Sequence, residues 1–191
     1  MVTERGLLSG LCLSIVHVPC WTHCLAYVWA GVGDSVSGFK KSDFYDFYQL
    51  IQIGSTKDAA KRETMTFVPA GGEFKDNFKV IVTADQGNIL SMYILMDRKF
   101  IKDSTNHVFA KEYINNFVME AVNEEDEELV EKYLDEINAE TPPNVNKATG
   151  FYQVYKGTRK TFEIALKSCI LLFESVTLES RDWLKISFRI K

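Results

Sequence analysis

The chain contains few of the residues on which most catalytic and redox chemistry depends. Its 191 residues include three histidines and four cysteines, and two of those histidines and three of those cysteines lie within residues 6–31. The rest of the chain retains only His107 and Cys169. A single histidine gives little basis for a nucleophilic triad, and a lone cysteine cannot form an internal disulfide. The sequence therefore indicates no catalytic centre, and Cys169 is expected to be a small core residue.

Motifs for nucleotides and nucleic acids are also missing. No phosphate-binding GxxxxGK[ST] loop is present, and the glycines of "GVGDSVSG" (31–38) follow no predicted strand, so they do not fit a dinucleotide fold. Acidic residues outnumber basic ones by 26 to 22, for a net charge of −4. A nucleic-acid partner needs a basic surface, and no Lys/Arg cluster along the chain supplies one. We therefore predict no cofactor and no nucleic-acid partner.

The opening segment is long, apolar and uncharged. Residues 6–33 contain no charged side chain when the histidines are neutral. This composition fits a signal peptide, with Val28 and Ala30 at the −3 and −1 positions of a cleavage site, or a membrane anchor. We predict that residues 1–30 are a signal peptide or membrane anchor, with attachment through residues 6–31, and that the protein is secreted or belongs to the cell envelope. A buried N-terminal element of the domain and a misassigned start remain alternatives.

A metal site is a further interpretation of the same segment. Its candidate ligands are His17, Cys20, His23 and Cys24, all within eight residues. A structural zinc site usually takes two ligand pairs separated by a loop, and here no second pair follows. The sequence therefore favours no metal.

The remaining chain predicts a linker over 31–41 and a single α+β domain over 42–191. The linker is inferred from glycine and serine content. An amphipathic helix is expected from Ser42, its N-cap, to Gly54. A strand is expected over 63–68, followed by a hairpin over 78–96 whose second arm is apolar on both faces and so central in the sheet.

Helices and strands alternate in blocks in the second half. Two helices are expected over 108–121 and from Asn123 onward, the second with an acidic start that suits the helix dipole. Strands are expected over 151–157, 161–173 and 183–191, the last as a protected edge with its cations outward. This order predicts an antiparallel β-sheet of about five to six strands with two or three helices packed on one face.

Exposed aromatic residues give the functional hypothesis. Phe44, Tyr45 and Tyr48 cluster in the first predicted helix, and Tyr93 lies in the hairpin. We predict a binding domain that uses these residues for a small apolar ligand or a protein partner. One alternative is a carboxylate-dependent hydrolase, for which Asp97 and Asp103 are candidates. The other is a structural or assembly subunit of the cell envelope, which would present an exposed apolar patch or an open sheet edge.

Overall fold

Seven strands and seven helices make up the described part of the chain. The computed structural model describes residues 31–72, 74–103, 105–139, 141 and 143–191. The strands are β1 (Leu50–Lys57), β2 (Glu63–Pro69), β3 (Phe78–Asp85), β4 (Asn88–Asp97), β5 (Thr161–Ala165), β6 (Cys169–Leu178) and β7 (Arg181–Ile190). The helices are α1 (Val36–Phe39), α2 (Asp43–Phe47), α3 (Phe74–Asn77), α4 (Arg98–Lys102), α5 (His107–Ala121), α6 (Glu124–Asn138) and α7 (Gly150–Lys156).

All seven strands form one antiparallel sheet in the order β1-β2-β3-β4-β7-β6-β5. The chain builds β1 to β4 as a meander, crosses one face with α5, α6 and α7, and returns through β5 and β6 so that β7 pairs with β4. The predicted α+β class is confirmed, and the number of strands is slightly higher than expected. The central position of β4 agrees with its two apolar faces.

One face of the sheet and the helices share the main core. Alternate residues of the central strands, such as Val80, Ile94 and Ile186, are fully buried beneath Phe117 of α5 and its neighbours. Each of the two long helices directs an apolar stripe inward, as their 3.6-residue periodicity predicts. Cys169 is a buried free thiol of this core, as expected.

Residues 31–41 are packed against the domain, although their composition predicts a linker. Phe39 is fully buried and packs edge-to-face on Phe67 of β2. Backbone hydrogen bonds from Gly33 and Val36 to the carbonyls of Ile89 and Gly87 attach the segment to the β3–β4 hairpin. Phe39 therefore anchors this stretch, and Val32 and Val36 pack against the same core.

The helix predicted to run from Ser42 to Gly54 is much shorter. Ser42 does cap it, accepting a hydrogen bond from the Tyr45 N–H, but α2 ends at Phe47. Gln49 then adopts a positive φ of 46°, and the chain turns into β1. The helical spacing of apolar residues was misleading because Ile51 belongs to an edge strand, where it is exposed.

Two other predictions in the last third require correction. The expected strand over 151–157 is α7, which Thr149 caps and a left-handed Gly157 ends. β7, which was expected at an edge, lies between β4 and β6. Its apolar and polar residues alternate because the helices cover one face of the sheet and not the other, which we call the open face. In β6 the buried positions are Cys169, Leu171 and Phe173, not the even-numbered residues, because the β5–β6 turn shifts the parity.

Candidate anion-binding site

The four aromatic residues proposed for ligand binding do not form one site. Phe44 and Tyr48 are buried and pack on Tyr113 in the core. Tyr45 is half-buried against Phe39 and Phe67. Tyr93 lies on the opposite face of the sheet, beneath Lys185. These contacts assign Phe44, Tyr45 and Tyr48 to packing of the short N-terminal helices.

The carboxylates proposed for hydrolysis serve as caps. Asp97 is buried, accepts hydrogen bonds from the N–H groups of Lys99 and Phe100, and forms an ion pair with Arg181 at 2.5 Å. The adjacent Arg98 instead donates hydrogen bonds to the carbonyls of Val154 and Tyr155. Asp103 binds the N–H and hydroxyl groups of Thr105. Neither carboxylate faces the other across a cleft.

One carboxylate that the sequence did not single out has an unusual environment. Glu120 of α5 is half-buried beside the start of α2. Burial, and secondarily the charge of Asp43, raise its pKa to about 7, although Phe44 N–H and the Ser42 hydroxyl donate hydrogen bonds to it. Its Oε1 is buried without a hydrogen-bond partner. Glu120 is thus a titratable group within the helical layer, not part of a cavity with a second acid.

The most distinctive cavity lies where α5 begins and where α6 and α7 end. Its volume is about 20 Å³, room for about one water molecule, so any larger ligand contacts its side chains from the mouth. It is lined by residues of those three helices and of the chain just after α6: His107, Lys111, Glu136, Ile137, Ala139, Tyr152, Tyr155 and Lys156. We call it the His107 cavity. His107 and Lys111 are one helical turn apart on α5, so their side chains lie on the same face.

The cations of the His107 cavity lack acidic partners. Within the described residues, neither Lys111 nor Lys156 forms a salt bridge or side-chain hydrogen bond. Burial lowers the pKa of His107, and the nearby charges of Lys111 and Lys156 lower it further. Burial and Lys156 likewise lower the pKa of Lys111. Each cation is therefore in a position where a neighbouring positive charge is unfavourable.

The carboxylate in the cavity already has partners. Glu136 accepts hydrogen bonds from the backbone N–H and the hydroxyl of Thr149. These bonds place a negative charge at the start of α7, where the helix dipole favours it. Glu136 thus fixes α7 against α6 and does not form an ion pair with Lys111 or Lys156.

The tyrosines fix the position of Lys156. Its Nζ lies 5.5 Å from the ring centre of Tyr152 and 5.6 Å from that of Tyr155, within the range of cation–π attraction. Burial, and secondarily Tyr152, raise the pKa of Tyr155 to about 12, so its hydroxyl remains protonated. Lys156 itself is exposed, so the ammonium group can reach an incoming ligand.

The start of α5 adds a further positive field. Asn106 occupies the N-cap position but makes no side-chain capping bond, and α5 runs for 15 residues. The first N–H groups of such a helix carry partial positive charge. Together with Lys111 and Lys156, this helix end favours an anion in the His107 cavity.

A second, open cleft contrasts with this arrangement. It is lined by Asp34, Asn123, Glu124, Glu125, Lys167 and Ser168. Here Lys167 is paired with Glu125, and the Asn123 side chain donates to the Ser168 hydroxyl. Its cation therefore already has a counter-ion.

Sequence reasoning considered His107 only as an isolated base and overlooked its neighbours. The spacing of His107 and Lys111 was a usable signal for a shared helical face. No such signal was present in the sequence for Lys156, because it is 45 residues from Lys111 and falls in a segment predicted as a strand.

Comparison with other proteins adds no relative, since no protein-family model, curated protein or solved structure matches this chain. Within the described residues, none of the helices combines the length and apolar character needed to span a bilayer. The same residues contain no group of three or more His, Cys, Asp and Glu side chains able to hold a metal ion. The predicted leader and the ligands considered in it, His17, Cys20, His23 and Cys24, lie outside the described residues.

Proposed function

We propose that this chain is a binding domain whose ligand is a small oxyanion held between His107, Lys111 and Lys156. The observation that carries the proposal is the convergence of two lysines without acidic partners and a half-buried histidine on one cavity. An anion there offsets the repulsion between the two ammonium groups and replaces the water that burial removes. A phosphate or carboxylate group is the class of ligand that Lys ammonium groups and helix N–H groups bind best.

The ligand class differs from the small apolar ligand suggested by the sequence. Phe44 and Tyr48, two of the residues that motivated that hypothesis, pack in the core, whereas the His107 cavity presents His107, Lys111 and Lys156. The general role, binding without an evident catalytic centre, is retained. Its support is a site that presents cationic and hydroxyl groups.

Titration of the full chain with inorganic phosphate, followed by calorimetry, tests this proposal. We expect binding with a Kd in the millimolar range or tighter, weakened about tenfold or more in Lys111→Gln and Lys156→Gln. Lys132→Gln is the matched control, because Lys132 is an exposed lysine of α6 outside the cavity. Absence of binding at tens of millimolar phosphate, or equal weakening by Lys132→Gln, contradicts the proposal.

Affinity should also increase as the pH falls. The pKa of His107 lies below its ordinary 6.5 in the free protein, so protonation adds a third charge beside Lys111 and Lys156 only at acidic pH. Burial raises the pKa of both Tyr152 and Tyr155, which face the same space as Glu136, so neither tyrosine ionises between pH 7.5 and 5.5. A His107→Gln variant should bind phosphate with a much flatter pH profile over that interval, apart from the phosphate's own titration, which a sulfate probe separates because its charge is constant over this range.

We further propose that residues 1–30 place the domain outside the cytoplasm or tether it to a membrane. The support is the uncharged apolar composition of residues 6–33. Intact-mass measurement and N-terminal sequencing of protein from its native host test it. Loss of residues 1–30 indicates a cleaved leader, retention in the membrane fraction indicates an anchor, and a full-length soluble protein contradicts both.

A further inference from the structure

The two edges of the sheet differ in length and charge. β5 is five residues long and includes Glu163, which pairs with Arg189 of β7 at 3.6 Å across the open face. β1 is eight residues long, and residues 49–56 carry no charge. A long, uncharged edge strand has unpaired backbone groups that favour pairing with another strand.

Exposed apolar side chains accompany the β1 edge. Ile51 and Ile53 are 42% and 53% exposed, and Phe47, just before the strand, is 71% exposed. Such residues are unusual on an edge strand, where proteins commonly place charges to prevent association. The opposite edge has no exposed large apolar side chain within β5, where Ile164 is buried.

A bulge at Ile53 limits the partners that β1 can take. Gln52 pairs with Phe67 and Gly54 with Thr66, so Ile53 is the extra residue in the ladder with β2. A bulge increases local twist and reduces the pairing of an edge with flat strands. A partner strand with the same bulge has matching twist, and a second copy of β1 provides it.

We propose that β1 pairs antiparallel with β1 of a second copy of this chain and extends the sheet across a two-fold axis. Two copies with net charge −4 repel one another generally, but β1 contains no acidic residue and its single charge is Lys57 at the end of the strand. With the axis beside Ile53, Ile51 of each copy lies opposite Ser55 of the other, and Lys57 lies opposite Gln49. No like charges meet in this arrangement, as an isologous interface requires.

Sedimentation and light scattering of the full chain over a range of concentrations test the pairing. We expect a dimer that the double variant Ile51→Lys/Ile53→Lys converts to monomer, with at least a tenfold increase in Kd, since it places cations on both sides of the axis. Ala165→Lys on the β5 edge is the matched control and should remain dimeric. Circular dichroism checks that each variant is folded.

Two additional readouts separate this interface from other associations. Measurements with and without a non-ionic detergent distinguish pairing through β1 from association through the apolar residues 6–33. Hydrogen exchange at residues 50–57 should slow as the protein concentration rises. A monomeric wild type, or a dimer that the double lysine variant leaves intact, overturns the proposal, as does unchanged exchange across β1.

Discussion

Ile94 and Leu95 are neighbours on β4, and their side chains point to opposite faces of the sheet. Ile94 is fully buried beneath the helices. Leu95 is 5% exposed, although its cluster on the other face consists of strand residues alone, with Ile81 and Trp183 as its buried partners. The same low exposure is therefore reached in two physically different ways.

Long cationic side chains cover the open face. Lys79 and Arg181 lie over the Trp183 ring, at 5.4 and 4.7 Å from its centre, and Lys185 lies 5.0 Å from that of Tyr93. Such side chains bury their aliphatic stems and keep the charge in water. The helix-covered face is closed by packed secondary structure, whereas the open face depends on flexible side chains whose positions ion pairs help to fix.

The largest expected effect is the difference in stability between variants of the two neighbours on β4. We expect Ile94→Ala to lower the free energy of unfolding by about 4 kcal/mol and Leu95→Ala by about 2 kcal/mol, toward opposite ends of the usual range. Under the helices the cavity cannot collapse, whereas the stems of Lys79 and Lys185 can move into the space left by Leu95. Urea denaturation of both variants measures the difference.

The denaturant slope provides a control for that comparison. Unchanged slopes show that both variants unfold from the same compact state. If Leu95→Ala costs as much as Ile94→Ala, the open face is as rigidly packed as the core, and the distinction drawn here is wrong.

The periodicity of apolar residues correctly predicted the helices and strands whose pattern follows from which side of the element is buried. The hairpin, the two long helices and the alternation of β7 were all predictable, because residues such as Leu184, Ile186 and Phe188 repeat at the strand period. Periodicity gave the wrong element where contacts distant in sequence determine the secondary structure. Ile51 continues a helical spacing, but a positive φ at Gln49 ends α2 first. The segment with Phe151 and Val154 has strand-like residues and still forms a helix, because Thr149 caps it and the core accepts its apolar side.

The candidate site was less accessible to sequence reasoning than the fold. Exposed aromatic residues were a plausible signal, but exposure cannot be deduced from local sequence for Phe44 or Tyr48, which the fold buries. The His107 cavity depends on two lysines brought together from α5 and α7. Their lack of acidic partners is a property of the tertiary structure alone.

On the open face, loss of one charge should be the next largest effect. Asp97→Asn removes the ion pair with Arg181 and weakens the cap of α4, and we expect a loss of about 1.5–3 kcal/mol at pH 7. Burial alone acts to raise the pKa of Asp97, but hydrogen bonds from Arg181 and from the N–H groups of Phe100 and Lys99 lower it below 3.8. The wild type should therefore lose this contribution as the pH falls from 3.8 through the folded pKa.

Thermal unfolding of the wild type and Asp97→Asn from pH 7 to pH 2.5 measures that contribution. The two curves should converge at the acidic end, because protonated Asp97 no longer pairs with Arg181. A difference in stability that is constant across this range indicates lost packing and not lost charge.

In the helical layer, the charge of Glu120 should lower the stability, whereas the charge of Asp97 raises it. The pKa of Glu120, raised to about 7 by burial and by Asp43, means that folding favours its protonated form. Its cost is absent below pH 4.5, increases up to pH 7 and is complete above it. Glu120→Gln should raise the Tm at pH 8 by about 2–4 °C, roughly 1 kcal/mol for a chain of this size after allowance for solvent screening, and change it little at pH 4.5.

Asp46→Asn is the control for Glu120→Gln, because Asp46 is an exposed acid of α2. It removes the same charge from the same region. An equal rise in Tm for both variants at pH 8 assigns the effect to net charge, and the special position of Glu120 then has no support.

The smallest effect should show whether charge or coverage matters at Lys185. Its Nζ pairs with Glu174 at 2.9 Å, and its stem lies beside Leu95 and Tyr93. Lys185→Met keeps the stem and removes the charge, so we expect a change within about 0.5 kcal/mol, because partly exposed ion pairs contribute little. Lys185→Ala removes the stem as well and should cost about 1 kcal/mol through exposure of the Tyr93 ring and Leu95. If instead Met and Ala cost the same, and 1 M NaCl abolishes the cost of both by weakening the wild type, the ion pair with Glu174 and not the aliphatic stem keeps the open face closed.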